Sequence, residues 1–139
     1  MPLFEKYDSV EHVPVPAEPE VNEETRPWGT FRIIEEGVFE EDGSKYKIKE
    51  LIVNPGGILS LQLHEHRTEV WTVIKGECLA QKNTVQRSLR AGDSIRILPN
   101  EMHRINNKEE EACHLIEVQV GEYVGEDDIV RFEDKYNRE

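Results

Sequence analysis

The stretch Gln62-Leu63-His64-Glu65-His66-Arg67-Thr68-Glu69 packs two imidazoles, a side-chain amide and a carboxylate into eight residues. In an extended strand alternate side chains share a face, which groups Gln62, His64 and His66. A chain reversal near Arg67-Thr68 brings Glu69, at the head of the apolar run Val70-Trp71-Thr72-Val73-Ile74, back alongside them. Such a shelf offers three ligands to a divalent metal and needs a fourth group from elsewhere in the chain.

Outward from this stretch, short apolar runs alternate with turn signals. Strands are expected at 31–34, 46–53, 58–63, 70–74, 78–80, 85–89, 94–98, 103–107 and 112–120. Glu41-Asp42-Gly43-Ser44 is a hairpin signal, and Asn54-Pro55-Gly56-Gly57 breaks the chain before the shelf. In the second run, Tyr46, Ile48, Glu50 and Ile52 fall on one face and Lys47, Lys49, Leu51 and Val53 on the other. Nine short strands with a turn every eight to twelve residues predict an all-β sandwich or small barrel. One short helix is expected at the C-terminus: Gly125-Glu126-Asp127-Asp128 offers an N-cap, and Ile129, Phe132 and Tyr136 have helical spacing. Residues 1–25 read as an extended Pro- and Glu-rich arm, a linker first, with a strand laid on a partner subunit through Val10, Val13 and Val15 as the alternative. Residues 26–139 read as one domain, entered through the fixed turn Arg26-Pro27-Trp28-Gly29.

Composition narrows the function classes. A net charge of -12 on 139 residues, a third of them charged, argues against a nucleic-acid surface. It leaves room for a small phosphorylated ligand, which needs only two or three local cations. No signal peptide or membrane-length apolar run is visible, so a cytoplasmic protein is expected. Cys78 and Cys113 read as buried thiols, Trp28 and Trp71 as core, and His12 and His114 as ordinary surface or packing residues. The acidic runs 109–111 and 122–128 read as solvated, the second partly as a helix cap.

Spacing then identifies a resemblance. Gly56, Gln62, His64, Glu69 and Gly76 are separated by five, one, four and six residues, and Gly92, His103 and Asn107 by ten and three. These strings resemble the two motifs of the cupin superfamily over roughly residues 45–120, which implies a double-stranded β-helix, a jelly-roll barrel. There are departures. Gln62 stands where the first motif has His, Leu98 falls at the Pro position with Pro99 one late, and Asn100 replaces a Gly. Asn tolerates a left-handed backbone, so that turn is expected to survive. Gln-x-His within Ser60-Leu61-Gln62-Leu63-His64 is similar to the phosphomannose isomerases, in which glutamine is a metal ligand. Arg26-Pro27-Trp28-Gly29, Tyr46-Lys47-Ile48-Lys49, Pro55-Gly56-Gly57, residues 60–67 and the long run 117–134 resemble the type II mannose-6-phosphate isomerase domain. In that family the domain often follows a mannose-1-phosphate guanylyltransferase. No Gly-rich nucleotide loop precedes the cupin motifs here, and guanylyltransferase activity is not expected.

The resemblance implies interconversion of mannose 6-phosphate and fructose 6-phosphate by proton transfer between C1 and C2. It implies a divalent metal, zinc being the family's usual ion, held by Gln62, His64, Glu69 and His103. A rival set replaces Gln62 by His66. Manganese, iron or nickel would also suit these ligands. For the proton-transferring base the candidates are Lys49, which aligns with a family lysine, and His66. For the phosphate they are Arg104, Arg67, Arg96 and Arg131, with Arg104 first because it adjoins His103, although its neighbouring strand position turns it to the other face. A homodimer is expected by analogy. Two other classes compete: a non-catalytic cupin binding metal or sugar phosphate, and an iron-dependent oxidative cupin.

Overall fold

The computed structural model describes residues 23–133 and Lys135, and these fold into eleven β-strands. In chain order they are β1 Glu23–Arg26, β2 Gly29–Val38, β3 Lys45–Val53, β4 Leu61–Leu63, β5 Arg67–Lys75, β6 Glu77–Lys82, β7 Val85–Arg90, β8 Ser94–Ile97, β9 His103–Asn106, β10 Cys113–Gly121 and β11 Val130–Glu133. Six form one sheet in the order β1-β2-β3-β10-β5-β8, and five form the second in the order β11-β4-β9-β6-β7. Every pairing is antiparallel. The all-β double-stranded β-helix expected from the motif spacing is the observed class.

Strand alternation decides what the barrel encloses. On β3, Lys47, Lys49, Leu51 and Val53 are buried while the residues between them are half-buried, as the two-face reading of this run requires. Leu51, Leu115 and Val73 lie opposite one another across β3, β10 and β5. They join Trp28, Phe31, Leu59, Trp71, Ala80, Leu89, Ile97, Ile105 and both cysteines in one core, each large side chain contributing about 1.5–3 kcal/mol through burial. The next rows inward on the same face are Lys49–Glu117–Trp71 and then Lys47–Gln119–Glu69. One half of the barrel is therefore packed with hydrocarbon and the other lined with charge.

Among the described residues the expected C-terminal helix is absent. Val130–Glu133 is a strand that pairs with β4, placing Arg131 opposite Gln62. The polar residues read as a helix cap are used elsewhere. Asp128 is buried, and its carboxylate accepts the backbone N–H groups of Glu65 at 2.9 Å and His66 at 3.0 Å. An N-cap must instead accept N–H groups two or three residues ahead of itself, so tertiary pairing outcompetes the local motif. Tyr136, the third residue of the helical spacing, and the valines of the arm lie outside the described residues. The proposed boundary after residue 25 falls inside β1.

Two turns show why particular residues stand where they do. Asn100 takes φ 68°, the left-handed conformation expected of Asn at the cupin glycine. Gly29 opens β2 at φ 153°, and a Cβ there would sit 1.9 Å from the Ile52 carbonyl oxygen. The adjacent Trp28 carbonyl accepts the Asn54 N–H at 2.9 Å, so the turn after Pro27 seals the strand pair directly. Gly29→Ala is expected to lower stability by about 3 kcal/mol or more, since it adds a backbone clash to a conformation that only glycine adopts readily. Urea unfolding, with Gly43→Ala in the open hairpin turn as reference, checks this; equal losses at the two positions would contradict it.

Candidate metal centre

The loop from β4 to β5 carries the shelf residues, and the segment after β10 fixes it. Besides the two N–H bonds to its carboxylate, Asp128 accepts a bond from His64 Nδ1 through its backbone carbonyl at 2.5 Å. With Nδ1 donating, Nε2 of His64 presents a lone pair inward. His103 is set the same way: Nδ1 meets the Glu101 carbonyl at 2.8 Å, leaving Nε2 to face the interior. Burial, reinforced by the charge of Arg67 and by His103, lowers the His64 pKa to about 4; the Asp128 carbonyl and Glu117 oppose this only partly. His64 is thus a neutral imidazole at physiological pH, as a metal ligand must be.

Both Nε2 atoms lie beside Glu69, and that of His64 also accepts from Arg67 Nη2 at 3.2 Å. His64 Nε2 is 3.1 Å from one carboxylate oxygen and His103 Nε2 is 3.6 Å from the other. The three potential ligand atoms lie within 4.8 Å of one another, and all three residues are buried. Glu69 Oε1 and His103 Nε2 have no hydrogen-bond partner. Buried polar atoms left without a partner are unfavourable, and a cation bound by both would satisfy them. Gln62 is the ladder partner of His103, which puts it on the same face. The donor set fits a divalent metal, with imidazole, carboxylate and amide oxygen each serving as a known ligand type.

A cavity of about 170 Å³ opens above this cluster, lined by Gln62, His64, Arg67, Glu69, Trp71 and Glu117 below and by Arg26, Lys49, Glu126 and Arg131 toward its walls and mouth. Lys49 Nζ binds Glu126 Oε1 at 2.6 Å. Lys47 Nζ reaches the other oxygen at 3.0 Å and the Val124 carbonyl at 2.6 Å. Burial raises the Glu126 pKa, but Lys49 and Lys47 outweigh it and hold that carboxyl at about 2. Glu117 goes the other way. Burial first, then the charge of Glu69, pushes its carboxyl up, and Lys49, Arg67 and the Gln119 amide do not cancel the shift. Its oxygens accept from Trp71 Nε1 at 2.9 Å and Gln119 Nε2 at 2.6 Å.

The structure separates the residues named from sequence. His64, Glu69 and His103 come together, with Gln62 beside them on the cavity wall. His66 does not join them: it is exposed on the outer side of the loop, with Nδ1 3.0 Å from Glu122. This removes it both from the rival ligand set and from the candidate bases, because the Asp128 clamp turns His64 inward and the next outward-facing residue is His66. Lys49 lines the cavity. Of the arginines, Arg131 lines it, but Arg104 pairs with Glu133 at 2.8 Å on the outer face and Arg96 is exposed on β8, away from the cavity. Arg67 is buried and its guanidinium is engaged, with Nε and Nη2 on Glu69 Oε2 at 2.8 Å and Nη1 on the Gly125 carbonyl at 3.1 Å. Arg26, Glu117, Glu126 and Asp128 were missed. Parity marks one of them in the sequence: on β10 the buried positions run Cys113, Leu115, Glu117, Gln119, so Glu117 breaks an apolar alternation.

A two-sheet barrel carrying a His/Glu/His cluster at one end defines the chain as a cupin. The family model described as mannose-6-phosphate isomerase C-terminal matches residues 17–134, and the chain belongs to that family. It is 41% identical over 113 residues to the xanthan biosynthesis protein XanB of Xanthomonas campestris pv. campestris, covering 81% of this chain and 23% of that protein. It is 39% identical over 113 residues to the mannose-1-phosphate guanylyltransferase ManC of Salmonella typhimurium, covering 81% of this chain and 22% of that protein. The chain therefore spans less than a quarter of the length of either relative. Among solved structures, a double-stranded β-helix protein from Klebsiella pneumoniae superposes with a TM-score of 0.63 at 21% identity, over 84% of this chain and 90% of that one. No helix among the described residues is long and apolar enough to cross a membrane.

Two measurements test the centre. Glu69→Gln is expected to weaken divalent-metal binding, followed by calorimetry and elemental analysis, by more than the roughly 10–100-fold typical of changes behind the ligands. Unchanged metal content would remove Glu69 from the site. The stability of the metal-free protein should also depend on pH. The His64 pKa is depressed from its ordinary 6.5 to about 4, so its contribution is complete above pH 6.5 and lost as pH falls toward 4, with a slope of up to about 1.4 kcal/mol per pH unit. Urea titrations of wild type and His64→Gln across that window should differ in slope; parallel curves would show that His64 is not buried neutral.

Proposed function

We propose that this domain is a metal-dependent aldose–ketose isomerase that interconverts mannose 6-phosphate and fructose 6-phosphate, with zinc as the first candidate metal. The observation that carries the reading is the facing pair of partnerless polar atoms, Glu69 Oε1 and His103 Nε2, beneath a cavity whose walls hold cations. Membership of the mannose-6-phosphate isomerase family supports the substrate class, and similarity to XanB supports a setting in polysaccharide biosynthesis.

A metal held by Gln62, His64, Glu69 and His103 would polarise the sugar's carbonyl and hydroxyl oxygens as a Lewis acid. The remaining work falls to the chain's own residues. Arg131 and Arg26, which both line the cavity, are the candidates to receive the phosphate; Arg26 also pairs with Glu24 at 3.3 Å, and Arg131 makes no ion pair among the described residues. Lys49 and Glu117 face each other across one β-ladder step. Moving a proton between C1 and C2 requires a group that both takes and returns it near neutrality. Glu117 suits this role, because burial and Glu69 raise its carboxyl above the ordinary range. Lys49, fixed on Glu126, orients the hydroxyls above it. Val124, Glu126 and Asp128 close the polar end of the barrel and limit the water that reaches the reacting carbons.

A coupled assay for fructose 6-phosphate, run with zinc, manganese, iron, nickel and cobalt in turn, tests the reading. Turnover is expected with at least one metal and should vanish in His64→Ala. Glu117→Gln should lower kcat by about 10²–10⁴-fold while metal content stays unchanged. Tight sugar-phosphate binding without turnover in any metal would instead assign the domain as a binding module. Oxygen consumption with iron would assign it as an oxidative cupin.

A further inference from the structure

One aromatic ring meets two of the cavity's cations. Phe31 lies on β2, between the strands that supply them. Arg26 of β1 is paired with Gly29, and Lys49 of β3 with Ile33. Each is therefore one diagonal step from Phe31 on the same face of the sheet, a separation that aromatic and long side chains bridge. Arg26 Cζ stands 4.8 Å from the ring centroid and Lys49 Nζ 4.4 Å. Gly29 offers no side chain opposite Arg26, which leaves the phenyl ring as the surface its guanidinium meets on β2. Phe31 is buried and lines the cavity with both cations. Apolar volume alone does not require an aromatic here: Leu51, its ladder partner, fills the same layer of the core with an aliphatic chain. What the ring adds is a negatively polarised face, and a cation within about 6 Å of the centroid is drawn to it.

The two cations differ in their other contacts. Lys49 is also held by Glu126 at 2.6 Å. The other groups that Arg26 reaches, Glu24 at 3.3 Å and the Thr25 carbonyl at 3.0 Å, belong to its own strand. That strand lies at the sheet edge and pairs with β2 alone. We propose that Phe31 is a positioning residue for anion binding: its ring holds the Arg26 guanidinium toward the cavity, so that a phosphate monoester meets a cation already in place. The inference rests on the reading of Arg26 as a phosphate-binding group and deepens it. An unrestrained arginine side chain loses rotamer freedom when a ligand orders it, and that loss weakens binding. Stacking on the ring takes the loss during folding instead. It also leaves the guanidinium competent, because a planar group lying on an aromatic face still presents N–H groups to phosphate oxygens. Phe31 thus acts through Arg26.

Titration calorimetry on the purified full chain, with inorganic phosphate and with mannose 6-phosphate, tests this. Progressively fluorinated phenylalanines at position 31 keep the ring's shape and drain its negative face. Affinity for both probes should fall stepwise with fluorine content, to a loss of about 5-fold for the trifluoro ring. Phe31→Leu should lose at least as much, whereas Phe31→Tyr, which keeps the ring, should bind both probes about as the wild type does. Metal content and circular dichroism should match the wild type throughout. Arg26→Ala should weaken both probes, and adding Phe31→Leu to it should weaken them little further, because the ring acts through that side chain. Affinity indifferent to fluorination, or a full additional loss in the double variant, overturns the proposal, as does a wild type that binds neither probe. Turnover is a separate readout. Binding with this pattern and no isomerisation leaves the inference standing while the isomerase reading falls; isomerisation with a KM indifferent to fluorination does the reverse.

Discussion

Two buried polar atoms face each other in the floor of this barrel, His103 Nε2 and Glu69 Oε1, 3.6 Å apart and neither with a hydrogen-bond partner. Much of the polar half of the structure exists to keep them there. The Glu101 carbonyl fixes one imidazole and the Asp128 carbonyl the other, while Arg67 grips the far oxygen of Glu69 at 2.8 Å. Each lock comes from backbone or from a residue itself bound at a second point, so neither imidazole nor Glu69 relies on its own rotamer preference. A cation is the simplest group that turns the arrangement from a conflict into a bond.

The charged half of the barrel is costly to bury, and the sequence offsets that cost by pairing. Lys47 and Lys49 occupy buried positions of β3 where Leu51 and Val53 continue the same face. Without Glu126 and the Val124 carbonyl both ammonium groups would lose their hydrogen bonds, leaving Lys47 only the longer contact to Glu36 at 3.8 Å and Lys49 the Phe31 ring. The segment between β10 and β11 therefore does three jobs: it neutralises the lysines, clamps the loop that carries His64, and delivers β11 with Arg131 to the cavity edge. Its bonds to Lys49, His64 and Arg67 tie the conformation of that segment to the geometry of the site.

Much of the architecture is legible in the sequence because alternation and turn chemistry are local. The two faces of β3, the hairpin at Gly43, the left-handed Asn100 and the spacing from Gln62 to Glu69 all follow from neighbours within a few residues. What the sequence hides is non-local. Gly125-Glu126-Asp127-Asp128 has the composition of a helix cap, and only the presence of Glu65, His66 and Lys49 in space shows that these groups are already taken. His66 and His64 look interchangeable in one dimension, and a clamp more than 60 residues away distinguishes them. Arg104 was drawn in by its adjacency to His103, although strand alternation, a local rule, already placed it outside.

The glutamine at position 62 gains a physical meaning from the charges around it. Among the four candidate donors only Glu69 is a carboxylate, and Arg67 pairs with it at 2.8 Å. Such a pocket holds little excess charge to attract a dication, so binding would rest on directed lone pairs, and the tautomer locks on His64 and His103 become the main source of affinity. A carboxylate at position 62 would add a second negative charge to the donor set. A third imidazole would keep the charge and make the set softer. The amide keeps the set oxygen-rich without adding charge to it.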